Sequence, residues 1–375
     1  MRNLLFFALA SLTIISCSGL KNETKNPDPR LKFLSQFEIP YGQTYQNTAV
    51  GGLSSIDYDP KNDLYYFLSD DRAILNHARF YTAKIKLGAQ SIDQVQLQAV
   101  NSLKNPEGGA YTNWEKEPNT SIDPEEMRYN PKNKKLVWCS EGARVVHDAT
   151  TVLQNPTIQI ADLKGNYNSN YPLPANLVMS AEEKGPRSNG ALEGLSFNSR
   201  YTELYASVEE PLYEDGSQAS VTKGGLVRFY VFDAKTKRNT AQYGYILDPV
   251  AHAPEPENGF KVNGIATIQY YNENQLLVVE RSYSVGRPSC TIKIYLCDFS
   301  KATNVKDRVT IQNPDIVLAT KKLILNLDDL NLFVDNVEGI TFGPKLTNGK
   351  SSLLLVTDNN FSNKQKTQIF LFEVN

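Results

Sequence analysis

One short pattern occurs five times in this chain, and it limits the fold more than any other feature. An acid or glycine, a small residue and an apolar stretch lead into a turn. A second apolar stretch follows and ends at an acid. Gly52-Leu53-Ser54-Ser55-Ile56 is followed by Leu64 to Asp71, and Glu193-Gly194-Leu195-Ser196-Phe197 by Leu204 to Glu210. Gly264-Ile265-Ala266-Thr267-Ile268 is followed by Leu276 to Arg281, and Glu338-Gly339-Ile340-Thr341-Phe342 by Leu353 to Asn359. Glu126 to Asn130, with Lys135 to Glu141, is a weaker fifth copy. The copies start about every 70 residues, and units that recur at a fixed spacing stack on one another to bury faces that none can bury alone.

Further alternating runs lie between these pairs: Arg79 to Leu87, Val95 to Leu103, Gly225 to Asp233, Gln242 to Leu247, Thr291 to Asp298 and Ile316 to Leu325. A period of two bounded by turn residues reads as strand. Each unit then holds four strands, which predicts an all-β chain folded as a β-propeller of five four-stranded blades. The last unit has room for only three strands, ending in Thr367 to Val374, and an orphan strand, Leu31 to Ile39, precedes the first unit. The expectation is that the orphan completes the last blade and closes the ring. Six blades is the alternative, if Asn101 to Ile122 hides strands.

Composition agrees. Tyr at 20 and Phe at 16, against Met at 3, favour strands. With 39 Lys+Arg against 41 Asp+Glu, the chain lacks the basic excess of a nucleic-acid binder, and a monomer with no nucleic-acid partner is expected.

The first residues stand apart. Met1-Arg2-Asn3 precedes an apolar run from Leu4 to Ile15 that is too short to span a bilayer and has the size of a signal-peptide core. Ile14-Ile15-Ser16-Cys17 resembles a bacterial lipobox, which implies cleavage after Ser16 and lipidation of Cys17. Residues 1–16 are therefore read as a lipoprotein signal, 17–30 as anchor and flexible tether, and 31–375 as the propeller domain. The expected location is the bacterial cell envelope, lipid-anchored, in the periplasm or at the outer-membrane surface. Cys139, Cys290 and Cys297 remain, an odd number that makes no complete disulfide framework, and they read as small buried apolar residues.

The repeat also places charge. Strands of a hairpin are antiparallel, so the start of each first strand and the end of each second strand meet at one mouth of the ring. That gathers ten carboxylates: Glu126, Glu193 and Glu338 from first strands, and Asp70, Asp71, Glu141, Glu209, Glu210, Glu280 and Asp358 from second strands. Such a set must be offset by positive charge. Ca²⁺ accepts irregular sets of carboxylate oxygens, and Arg72, Arg144 and Arg281 directly follow three of the acids or lie close to them. His147 lies just beyond Glu141. Other chemistries lack their motifs. There is no Gly-x-Ser-x-Gly elbow and no His-Glu-x-x-His run. Gly343 to Ser351 has the wrong spacing for a phosphate loop, and His77, His147 and His252 share no metal-ligand spacing. Gly165 to Pro174 and Val250 to Asn258 read as loops.

Asn336-Val337-Glu338-Gly339-Ile340-Thr341-Phe342-Gly343-Pro344, with Leu353 to Ser362, resembles the C-terminal signature of phytase-like bacterial proteins, whose domain is called "esterase-like activity of phytase". Asn189 to Leu195, Gly51 to Ser54, Asp123-Pro124-Glu125-Glu126 and Cys139-Ser140-Glu141-Gly142 are similar to its repeats. The resemblance implies a propeller-like fold, ester or phosphoester hydrolysis, and Glu126, Glu141, Glu193, Glu338 and Asp358 at the active centre. The fourth repeat departs from it, since Asn263-Gly264 replaces the Glu-Gly pair, and it is expected to supply Glu280 alone. The resulting expectation is an extracytoplasmic, divalent-metal-dependent hydrolase with Glu126, Glu193 and Glu338 catalytic. Asp70, Glu141, Glu209 and Asp358 would hold the metal. Arg72, Arg144, Arg281 and His147 would hold an anionic small-molecule substrate. The alternative is a non-catalytic surface propeller that binds a glycan or protein through Tyr111, Trp114, Tyr167 and Tyr171.

Overall fold

The computed structural model describes residues 28–147 and 150–375. The signal segment and Cys17 lie outside the described residues, as does most of the tether. The described chain is all-β apart from four short 3-10 turns. Blade one is β4 (Leu53–Asp59), β5 (Leu64–Ser69), β6 (Arg79–Leu87) and β7 (Ile92–Ser102), after β1 (Leu31–Ile39) and a small ladder of β2 (Thr44–Tyr45) with β3 (Thr48–Ala49). Blade two is β8 (Pro124–Asn130), β9 (Lys135–Ser140), β12 (Thr157–Ala161) and β13 (Tyr167–Tyr171). A hairpin of β10 (Ala143–His147) and β11 (Thr150–Gln154) is inserted in its middle. Blade three is β14 (Leu192–Phe197), β15 (Glu203–Val208), β16 (Leu226–Asp233) and β17 (Asn239–Ile246). Blade four is β18 (Lys261–Asn272), β19 (Gln275–Ser284), β20 (Thr291–Asp298) and β21 (Thr320–Asn326). Blade five is β22 (Asn336–Lys345), β23 (Ser351–Asp358), β24 (Thr367–Val374) and, on its outer edge, β1.

The ring closes as expected. β1 runs antiparallel to β24, from Leu31 opposite Val374 to Ile39 opposite Thr367. Two open edges are thereby paired. Asn101 to Ile122 hides no blade: it leaves β7, makes one bridge between Lys104 and Ala110, and turns through Pro118–Thr120. Residues 165–174 are not a loop, because Tyr167–Tyr171 is the outer strand of blade two.

Alternation builds the core. In β5, Tyr65 and Phe67 pack with blade five, while Tyr66 and Leu68 pack with blade two. In β19, Leu276 and Val278 face blade three, and Leu277 and Val279 face blade five. Successive side chains of a strand leave on opposite faces, so each blade is apolar on both sides and needs a neighbour on each. Cys139, Cys290 and Cys297 are buried and unbridged.

At the innermost strands the blades nearly touch. A Cβ on Gly194 would come within 3.0 Å of the Ile268 nitrogen, and one on Gly339 within 2.8 Å of the Ile56 nitrogen. Gly52 has φ +60, and a Cβ there would meet Asp70 Oδ1 at 2.1 Å. The seam between blades one and five is held by Asn359, whose Oδ1 accepts the Gly52 N–H at 3.1 Å.

Candidate functional site

Every first strand slips register near the same end of the shaft. The slips fall between Leu53 and Ser55, Pro124 and Met127, Leu192 and Gly194, Ile265 and Thr267, and Val337 and Gly339. A β-bulge leaves one residue unpaired and re-aims its side chain. Counting back from the paired residues, the bulge position holds Ser54, Glu125, Glu193, Ala266 and Glu338. By the same register, Asp70, Glu141, Glu209, Arg281 and Asp358 occupy one place on the second strands, one residue past the partner that flanks the bulge. These two rings form the mouth.

The carboxylates there converge. Asp70, Glu338 and Asp358 bring ligand oxygens within 4.8 Å of one another, as do Asp123, Glu125 and Glu141, and Glu141, Glu193 and Glu209. Positive charge is sparse. Arg72 pairs with Asp123 at 3.2 Å and stacks on Trp114, and Arg281 pairs with Glu209. Burial, reinforced by Asp358, pushes Glu338 up to about 8. Burial also lifts Asp358 to about 7 and Asp123 to about 6. Asp70, Glu125, Glu141 and Glu193 are raised well above the carboxylate range by burial and by the acids beside them. Asp358 Oδ2, Glu338 Oε2 and Ser54 Oγ are buried without a hydrogen-bond partner. Buried polar atoms normally find one.

Glu126 is not at the mouth. The bulge in blade two shifts it to the place held by Ser55, Gly194, Thr267 and Gly339, one layer down the shaft. There Ser55 and Thr267 donate to its carboxylate, Thr267 at 2.5 Å, and burial lifts it to about 7. Arg128 lies below it on the axis. Its guanidinium donates to the carbonyls of Leu195 at 2.7 Å, Ile340 at 2.8 Å and Ile268 at 3.0 Å, and to Glu126 at 3.1 Å. Asp57, Ser196, Gln269 and Thr341 hold the place of Arg128 in the other blades. Glu126 and Arg128 therefore plug the shaft and separate its two ends, and Glu126 lies one layer below the acids with which the sequence reading grouped it.

The structure corrects other placements. Glu280 leaves the mouth: it accepts from Tyr245 Oη at 2.7 Å, Asn263 at 2.9 Å and Lys321 at 2.6 Å, and Arg281 takes the mouth position instead. Asp71 is bound to Arg79 at 2.7 Å and accepts the Ile74 and Asn76 N–H groups, so it ties a turn. Glu210 is bonded to Gln218 at 2.7 Å. Arg144 donates to the Ser180 and Ala181 carbonyls at 2.8 and 3.1 Å, and His147 is exposed at the end of β10, so the inserted hairpin carries both away from the acids. Of the four aromatics considered for glycan binding, Tyr171 packs on Phe232 and Tyr111 on Trp138 in the core. Trp114 lies against Arg72 at the mouth, and Tyr167 is on an outer strand.

Sequence reasoning missed Glu125, and Asp123 as a mouth acid. It also missed a cavity of about 490 Å³ beside the mouth, lined by Arg281, Arg287, Asn336, Asn360 and Lys364. No motif marks Arg287 and Lys364, because they come from loops of different blades.

Residues 48–361 match the phytase-like family described as "esterase-like activity of phytase". No curated protein matches the chain. The endo-arabinase of Bacteroides thetaiotaomicron is similar at 12% identity and TM-score 0.43, over 89% of this chain and 96% of that one. The periplasmic gluconolactonase of Pseudomonas aeruginosa is similar at 8% identity and TM-score 0.38, over 85% and 84%. The exo-β-1,3-galactanase of Phanerochaete chrysosporium is similar at 10% identity and TM-score 0.45, over 90% of this chain and 64% of that one.

Proposed function

The chain belongs to the phytase-like family, and from that premise we propose that it is a divalent-metal-dependent hydrolase of phosphoesters or related esters, working at the acidic mouth. The observation that carries the reading is the set of convergent carboxylates in which Asp358 Oδ2 and Glu338 Oε2 are buried with no partner. Like charges so placed need a cation, and the donors are all hard oxygens, which fits Ca²⁺. Asp70, Glu338 and Asp358 would hold one ion. Glu141 and Glu193, with Glu209 or with Asp123 and Glu125, offer a second place. A bound divalent ion polarises a phosphoryl or carbonyl oxygen and makes a nearby water more acidic.

The protein's own side chains would do the rest. Arg281 sits in a ring position that carries an acid in the other blades, and its guanidinium can hold an anionic oxygen beside the carboxylates. Arg287 and Lys364 line the adjoining cavity and extend that positive edge.

The test uses the purified protein with p-nitrophenyl phosphate and p-nitrophenyl acetate, in Ca²⁺ and in EDTA. Release of nitrophenol in Ca²⁺, lost in EDTA and in Glu338→Gln, is expected. No turnover of either ester while calcium binds would overturn the hydrolase reading. The envelope location belongs to the same proposal. Its support is the lipobox-like Ile14 to Cys17, and Cys17→Ser should move the protein from membranes to the soluble fraction.

A further inference from the structure

The end of the shaft opposite the acids opens into a second cavity, of about 760 Å³. That is within the ~300–1,000 Å³ of small-molecule pockets. Its floor is the ring of Asp57, Arg128, Ser196, Gln269 and Thr341. Its wall begins at the next residue of each first strand, with Tyr58, Tyr129, Phe197, Tyr270 and Phe342. Five blades thus contribute one polar and one aromatic residue each to the lining, with Tyr129 and Phe197 mostly buried between blades and Tyr58, Tyr270 and Phe342 half-buried.

The floor offers hydrogen bonds without free charge. Arg128 is committed to three blades' carbonyls and to Glu126, and it also reaches Gln269 Oε1 at 3.2 Å and Asp57 at 3.5 Å. It has little left for an anion. Asp57 is offset by that guanidinium and by the Tyr129 N–H at 2.7 Å. Ser196 Oγ accepts the Tyr270 N–H at 2.7 Å, so its own proton is left to donate. Thr341 Oγ1 donates to Asp57 at 3.2 Å and retains acceptor capacity. The ring offers both donors and acceptors. Groups that both donate and accept, namely hydroxyls, suit such a floor.

The wall is set before any ligand arrives. Tyr58 packs on Tyr65 at 4.6 Å between ring centroids, Tyr129 on Tyr66 at 5.3 Å, Phe197 on Tyr201 at 5.5 Å and Tyr270 on Tyr205 at 6.0 Å. Rings held by rings behind them lose little freedom on binding. An aliphatic chain would leave the floor unsatisfied, and an anion would find Arg128 already committed there, with Lys345, exposed and bonded to Ser351 Oγ at 2.8 Å, as the lysine of the lining. A ring with apolar C–H faces and a hydroxyl edge satisfies wall and floor together. We propose that this funnel is a carbohydrate site that takes a neutral pyranose unit, apart from and insulated from the acidic mouth by the Glu126–Arg128 plug.

The experiment titrates the full mature protein with glucose, galactose, N-acetylglucosamine, maltotriose, cellotriose and glucuronate, by saturation-transfer NMR and calorimetry. At least one neutral sugar should bind, with saturation on its ring C–H groups and equal affinity in Ca²⁺ and EDTA. Phe342→Ala and Gln269→Ala should each weaken it about tenfold or more, a loss of ~1.4 kcal/mol. Hydrogen exchange on the wild type, which does not depend on the variants folding, should show protection by the sugar at Tyr270 to Asn272 and Phe342 to Lys345. No neutral sugar bound at millimolar concentration, a preference for glucuronate, or protection confined to other blade surfaces would overturn the proposal.

Discussion

At one end of the shaft the first strands bulge and turn Glu125, Glu193 and Glu338 toward one another. At the other end the same strands carry Tyr58, Tyr129, Phe197, Tyr270 and Phe342, with further register slips only after Tyr270 and Phe342. The acids have two arginines among them and unpartnered oxygens. The floor of the aromatic funnel has its charges matched within the protein. The difference teaches that in this ring polarity is set by local backbone geometry rather than by which blade a residue comes from. Two unlike environments can then coexist on one axis, provided something separates them. The plug does so at the cost of burying an ion pair, which is tolerable only because nearly every donor of Arg128 finds an acceptor.

The largest expected effect comes from opening the ring, which both ends share. Removing residues through Ile39 leaves β24 and β7 without β1 and should consume most of the ~5–15 kcal/mol that holds an ordinary domain. Urea unfolding should show it, and a truncated protein as stable as the mature chain would contradict the closure. Next is the separation itself. Arg128→Met leaves Glu126 buried without its cation and orphans several carbonyls, so a loss of ~3–5 kcal/mol is expected. Glu126→Gln, whose amide oxygen can keep the bonds from Thr267 and Arg128 while its NH2 donates to Ser55 Oγ, should cost far less.

The acidic end should respond to pH. Glu338 and Asp358 titrate near 8 and 7 in the fold, against 4.5 and 3.8 for the free groups. The metal-free fold therefore binds more protons than the unfolded chain across that window. Its stability is highest below about pH 4.5 as far as these groups are concerned, and it falls as pH rises through about 8. Melting in EDTA at a series of pH values should follow this trend. A rise in stability toward pH 8 in EDTA would contradict the assignment. The smallest effect is from single charges. Glu193→Gln and Glu338→Gln should be neutral or stabilising by ~1 kcal/mol in EDTA, since each removes repulsion. Both should diminish any gain from calcium. Destabilisation in EDTA would show instead that these carboxylates serve as structural partners.

The ring, its closure by Leu31–Ile39 and most of the mouth acids were legible in the sequence, because apolar alternation and recurring acids survive without knowledge of register. Parity was not legible. One bulge residue exchanges the two faces of a strand, and blade two carries Glu125 and Glu126 side by side, so the weaker copy could be laid on either. Asp59 and Asn130 end two first strands, Asn198 directly follows a third, and each accepts a backbone N–H of the turn that follows. Aligned from that end, the copies would have picked Glu125. The same one-residue error exchanged Arg281 for Glu280. Arg144 and His147 were misplaced for another reason: a hairpin inserted after Glu141 leads the chain outward, and nothing in its composition announces the direction.

The acidic mouth as a divalent-cation site is tested most directly by calorimetric melting of the same preparation in EDTA and in excess Ca²⁺, with elemental analysis of the untreated protein. A ligand at 100 times its Kd should add ~2.7 kcal/mol. The prediction is a clear upward shift in Tm with Ca²⁺, reversed by EDTA, growing from pH 6 to pH 8 as the carboxyls lose their protons, and much reduced in Glu338→Gln. Superimposable melting curves in Ca²⁺ and EDTA at every pH, with no metal in the elemental analysis, would contradict it.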